Sequence, residues 1–193
     1  MQAVPDVVRK HWPEYLMEAA GLGLFMISAA VVTTLLEYPH SPLHGLFADQ
    51  ATRRLMIGLA MGATAIGLIY SPWGKRSGAH LNPAVTLTFY RLGKIGGIDA
   101  CSYVMAQFFG GALGLWLVSR AIGKAVEHPA VNYVVTTPGP AGSGTAFVAE
   151  ALISFGLMLV VLMVSNTTSL NAWTGCVAGA LVATYIAIEA PLS

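Results

Sequence analysis

The sequence predicts an all-α polytopic membrane protein with five spanning helices, one half-length helix between the second and third, and an inverted repeat relating its two parts. Three observations lead there. Hydrophobic residues make up 55% of the chain and charged residues only 10%, against about 25% charged in an ordinary soluble domain. Apolar runs of spanning length recur along it, and a glycine motif recurs at corresponding places in the two parts.

The first span is expected at Tyr15 to Leu36, because a bilayer core about 30 Å thick needs about 20 apolar residues in a helix. Ahead of it, Met1 to Glu14 is polar and includes Pro5, Asp6, Arg9, Lys10 and Pro13. It lacks the apolar centre of a cleavable signal, so the first span is expected to be a retained anchor in the cell or cytoplasmic membrane. The second span is expected at Leu55 to Ser71.

Between the second and third spans, Asn82 to Tyr90 is apolar but too short to cross, reaching about half way at 1.5 Å per residue. Asn82-Pro83 supplies a capping residue and a proline suited to the first helical position. The stretch Ser71 to Leu81 is too rich in Gly, Pro and charge for a lipid-facing helix. Two placements compete: a cytoplasmic surface loop, and a re-entrant loop, favoured here, that dips into the membrane where protein or water covers its backbone.

The third span is expected at Ala100 to Ile122, followed by a Gly- and Pro-rich linker over residues 123–144, then spans at Ala146 to Ser165 and Ala172 to Ala190. The linker divides a first repeat (1–122) from a partial second one (145–193) within one transmembrane domain. Gly58-Leu59-Ala60-Met61-Gly62-Ala63 matches Gly175-Cys176-Val177-Ala178-Gly179-Ala180, each with the small-xxx-small spacing that lets helix backbones approach. Ser77 follows Gly58 by 19 positions, whereas Ser193 follows Gly175 by 18. On this register a second half-helix and a sixth span are expected beyond the residues present.

Composition also excludes. A formal net charge of +1 provides no basic field to recruit nucleic acid. Cys101 and Cys176 lie in apolar stretches with no His or Cys at ligand spacing, and are read as reduced packing residues; no metal site is expected. Ser, His and carboxylate residues are scattered over different spans, and no Gly-rich phosphate loop precedes a Lys, so no catalytic residue, enzyme activity or cofactor is expected.

Ser77-Gly78-Ala79-His80-Leu81-Asn82-Pro83-Ala84-Val85-Thr86 resembles the first pore-loop signature of the aquaporin and glycerol-facilitator family. Glu18 and Glu150 early in the first and fourth spans, and Ala106-Gln107 with Gly110 and Gly111 in the third, add to the likeness from Tyr15 onward. The resemblance implies an aquaporin-like inverted repeat, passive passage of water or small uncharged solutes such as glycerol, and a homotetramer with one pore per subunit. Asn82, Pro83 and Ala84 would meet the permeating molecule near the bilayer centre. Gly78, Ala79, His80 and Leu81 would be extended, their carbonyls lining the pore; His80 would face the cytoplasmic vestibule or else satisfy a buried backbone group.

Glu18 and Glu150 sit in apolar spans, where an unpaired carboxylate costs several kcal/mol. The resemblance makes them braces for pore-loop N–H groups, with Gln107 as a further brace; a proton-coupled transporter carboxylate is the rival reading. Met61 matches the second-span position of the selectivity filter and the fifth-span position falls near Thr184 to Ile186, with Ile186 chosen. The filter arginine after the second motif is not in this sequence. Arg9, Lys10, Lys75, Arg76, Arg91 and Lys94 would be cytoplasmic and Arg53, Arg54, Arg120 and Lys124 outside, which puts the N-terminus inside and the 123–144 linker outside. A secondary transporter and a non-conducting fragment of a channel remain as alternatives.

Overall fold

The computed structural model describes residues 4–189. In chain order its helices are α1 (Val4–Glu37), α2 (Pro42–Leu46), α3 (Gln50–Tyr70), α4 (Pro72–Ser77), α5 (Pro83–Arg91), α6 (Gly97–Ile122), α7 (Lys124–Glu127), α8 (Gly142–Ser165) and α9 (Thr174–Glu189), with no strand among the described residues. Among the described residues five segments are long and apolar enough to cross a membrane: Val4–Glu37, Gln50–Tyr70, Gly97–Ile122, Gly142–Ser165 and Asn171–Ile188. The chain is therefore an all-α polytopic membrane protein. Ala190, the expected end of the fifth span, and Ser193 lie outside the described residues.

α1 starts well before Tyr15 and runs through Pro13. Asp6 in its first turn suits the positive end of the helix, and Pro13 removes one ladder bond, that to the Arg9 carbonyl. Its 34 residues reach about 51 Å, beyond the roughly 30 Å apolar layer. The polar first turns thus continue the spanning helix.

By contact the chain forms two compact units interleaved in sequence: the start of the chain through Ile27 with Gly67–Leu117, and Ser28–Ile66 with the chain from Val118 onward. In the first unit, α1 and α6 meet backbone to backbone. A Cβ on Gly110 would collide with the Ala19 carbonyl, and one on Gly114 with the Gly23 carbonyl. Dispersion between closely approaching backbones, rather than a hydrophobic drive, holds such helices together in lipid.

The stretch expected to be irregular contains the short helix α4, capped by Ser71, whose hydroxyl accepts from Gly74 N at 3.0 Å. Gly78 closes it at φ 92°, and Ala79 and Leu81 follow, both at φ 47°. The extended run expected from Gly78 to Leu81 is therefore not formed: three of its four residues are left-handed, a conformation that costs a residue with a Cβ about 1–2 kcal/mol and needs a compensating contact. α5 then starts at the expected place. Asn82 is its cap, accepting from Ala84 N at 2.7 Å, and Pro83 occupies the first turn. Its nine residues rise about 14 Å, roughly half the apolar layer.

In the second unit the two matched glycine motifs pack directly on each other. A Cβ on Gly62 would lie 2.5 Å from the Gly179 carbonyl oxygen, and one on Gly179 would lie 2.6 Å from that of Gly62. The connection from α1 to α3 is pinned by buried Arg53, which donates to Glu37 Oε2 at 3.1 Å and to the Phe47 and Ala48 carbonyls at 2.8 and 2.9 Å. Asp49 caps α3 through the Thr52 hydroxyl and amide, both at 2.7 Å, and these bonds hold its carboxyl below the usual carboxylate range. Within residues 123–144 the chain forms α7 and a 3-10 turn at Asn132–Val134. Cys101 is exposed on α6, contrary to its reading as a packing residue, while Cys176 is half-buried. An apolar stretch in a membrane helix marks lipid-facing positions as readily as packed ones.

Gly110→Ala is expected to lower stability by about 1–3 kcal/mol, since α1 and α6 must separate to admit the methyl. Gly111→Ala should stay within about 0.5 kcal/mol, because its Cβ would meet Leu22 at an ordinary 3.5 Å. Unfolding each variant in mixed micelles by denaturing-detergent titration measures the contrast.

Candidate functional site

The site is assembled around Glu18 on α1, which is 0% exposed. Its carboxylate accepts four hydrogen bonds. Ser77 Oγ and His80 N donate to Oε1 at 2.6 and 3.0 Å, and Leu81 N and Gln107 Nε2 donate to Oε2 at 2.7 and 2.8 Å. An ionised carboxylate offers about four acceptor sites, and here each oxygen is met by two donors. A buried polar group without such partners costs several kcal/mol, so these bonds are what make Glu18 tolerable in an apolar helix.

The left-handed backbone follows from the same contact. With Ala79 and Leu81 at positive φ, successive amides turn to one side and form an anion-binding concavity of the kind made by alternating backbone handedness. An extended strand would send alternate N–H groups to opposite sides. Two charge-assisted bonds, each worth about 1.5–3 kcal/mol, offset two strained residues at about 1–2 kcal/mol each.

A second layer ties the loop to α5 and α6. Gln107, also 0% exposed, donates to Thr86 Oγ1 at 3.0 Å as well as to Glu18. Thr86, on α5 and 0% exposed, lies 3.1 Å from His80 Nδ1. The His80 ring stacks on Phe89, with centroids 4.9 Å apart and planes at 12°, and meets Tyr103 edge-on. Tyr103 OH donates to the Ser77 carbonyl at 2.7 Å. Tyr15, edge-on to Tyr103, donates to Asp99 Oδ1 at 2.6 Å, and His11 Nδ1 lies 2.8 Å from the same oxygen.

Asn82 is exposed at the head of α5. Because its Oδ1 caps Ala84 N, its NH2 is turned away from the helix end, where the helix dipole places about half a positive charge. Ala84 is exposed beside it and Pro83 half-buried. The structure thus brings Glu18, Gly78, Ala79, His80, Leu81, Asn82, Pro83, Ala84 and Gln107 into one cluster. Met61, Glu150 and Ile186 belong to the second compact unit. Met61 is 2% exposed there, and Glu150 and Ile186 are half-buried on α8 and α9.

Ser77, Thr86 and Tyr103 are further members of the cluster to which sequence reasoning gave no individual role, the first two lying within the signature stretch. Spacing could have found two of them. Thr86 lies four residues after the capping Asn82, and Tyr103 lies four before Gln107, on the same helix face.

A family model described as "Major intrinsic protein" matches residues 7–193. The chain is 38% identical over 110 residues to a probable aquaporin of Archaeoglobus fulgidus, covering 56% of this chain and 44% of that protein. It is 33% identical over 140 residues to a glycerol uptake facilitator-like protein of Lactiplantibacillus plantarum, covering 72% and 64%. With an aquaporin of Zea mays it shares 30% identity over 176 residues, covering 89% and 57%. The chain spans about half the length of the curated relatives it matches.

Glu18→Gln puts an NH2 group where an acceptor stood, so at least one of the four donors faces another donor. It is expected to destabilise the chain by about 1–3 kcal/mol, and Glu18→Ala by more. Thermal unfolding of the purified variants in micelles, with Gly111→Ala as the neutral control, checks the order.

Proposed function

The chain belongs to the major intrinsic protein family, and from that membership we propose that it forms a passive channel for water or small uncharged solutes of the glycerol kind. The observation that carries the reading is the Asn82 cap. A half-length helix presents an oriented NH2 donor at its positive end, a neutral polar site that favours an oxygen acceptor and penalises cations. Gly78, Ala79, His80 and Leu81 lead to it and line the path with Pro83 and Ala84, while Met61 and Ile186 contribute to the constriction. Glu18 and Gln107 brace the loop, and Glu150 does the same for the second half.

No cofactor, metal or nucleic acid is required, and the protein is not an enzyme. It works as a homotetramer in the bilayer, with the N-terminus cytoplasmic and six Lys or Arg residues inside against four outside. Its single transmembrane domain consists of a first repeat at 1–122, an extracellular linker at 123–144 and part of a second repeat at 145–193. The proton-coupled alternative fits less well: a proton added to either Glu18 oxygen would face a donor already bound there.

Asn82→Asp tests this directly, since a carboxylate keeps the cap acceptor and removes the NH2. In stopped-flow osmotic experiments on proteoliposomes, the chain extended through a second half-helix and sixth span is expected to speed water or glycerol efflux without passing protons. Asn82→Asp in that extended chain should slow it by roughly tenfold or more. Flux that requires a proton gradient would assign a transporter instead.

A further inference from the structure

At the end of the first unit that carries the start of α1, Trp12, Pro13, Leu16, Met17 and Ala20 of α1 and Trp73 of α4 line a groove of about 290 Å³. Its walls are apolar side chains, yet they are left open: Trp12, Leu16 and Trp73 are 54%, 59% and 50% exposed. The α1 residues recur at spacings of three and four, which makes them one stripe of the helix. Two indoles flanking an apolar groove suit the level where acyl chains meet headgroups.

The mouth of the groove is basic. Arg9 continues the stripe one turn before Pro13, and Lys10, three residues before Pro13 and seven before Met17, stands beside it; both are exposed. The acidic groups nearby are largely engaged. Glu14 accepts from Arg76 at 2.9 Å, and Asp99 is shared by Tyr15 and His11. Among the described residues no ion pair involves Arg9 or Lys10, and Asp6 is the remaining carboxylate at this end.

We propose that this groove is a binding site for an anionic phospholipid, with one acyl chain against Trp12, Leu16, Met17 and Trp73 and the phosphate met by Arg9 and Lys10. An apolar slot fits a hydrocarbon chain from any lipid; the two cations at its mouth select the negative headgroup. Pro13 and Ala20 keep the α1 wall low between the bulkier side chains. The site is independent of which solute the chain passes.

The test uses tryptophan emission from the whole chain carrying Trp116→Phe and Trp173→Phe, so that Trp12 and Trp73 report. The protein is reconstituted in phosphatidylcholine vesicles containing a minor fraction of acyl-brominated phosphatidylglycerol or, in parallel, acyl-brominated phosphatidylcholine. The anionic quencher is expected to act at about fivefold lower mole fraction than the zwitterionic one, and added salt should narrow the difference. Arg9→Gln with Lys10→Gln, both at exposed positions, should abolish the preference while the emission spectrum stays unchanged. Equal quenching by both lipids in the unsubstituted chain would overturn the site, as would a preference that survives the double substitution. Failure of either lipid to quench would mean that protein, such as a second copy, covers the groove, and would overturn it too.

Discussion

One buried carboxylate organises the first compact unit. Glu18 sits in an apolar helix with no exposure and two donors on each oxygen. Two of those donors come from the segment between α4 and α5, a third from Ser77 at the end of α4 and the fourth from α6. The loop cannot relax to an extended form without leaving a charge unpaired in a low-dielectric setting. The left-handed turns at Ala79 and Leu81, the start of α5 at Asn82 and the placement of Gln107 all follow from satisfying that one group.

The helices that bring these donors together are held by a different force. α1 and α6 touch at Gly23, Gly110 and Gly114, close to Glu18 and Gln107 on the same two helices. A side chain at those positions would push apart the pair whose approach lets Gln107 reach Glu18. In the second unit, Gly62 and Gly179 play the same packing part for α3 and α9. The motif repeated in sequence thus serves as a contact between its own two copies.

Much of this was legible from residue order. The capping chemistry of Asn82-Pro83 and the half-length apolar run after it predict α5, and the cost of a carboxylate in a span marks Glu18 as a group needing partners or a function, which the family resemblance makes a brace. The backbone of Ala79 and Leu81 was not legible, because nothing in an Ala or Leu favours positive φ; only a distant acceptor supplies the reason. The reach of α1 through Pro13 was hidden because a proline and charges read as a break, whereas one missing ladder bond outside the apolar layer costs little. The contacts of Thr86 and Tyr103 were not legible because they depend on loop groups that fold back onto α5 and α6. The fold class rests on length and hydropathy, which sequence carries openly; the site rests on pairings across α1, α5 and α6, which it carries only in part.

The most direct measurement is amide hydrogen exchange at His80 and Leu81, followed by NMR in micelles at a pH where the intrinsic rate is well above the observed one. With Glu18 intact, both amides should exchange as slowly as the interior of α5, at rates set by opening of the whole loop. Glu18→Gln should speed them selectively, leaving the interior amides of α3 and α6 unchanged. Fast exchange at both positions in the unsubstituted chain, or no response to Glu18→Gln, would contradict the account that this carboxylate holds the loop.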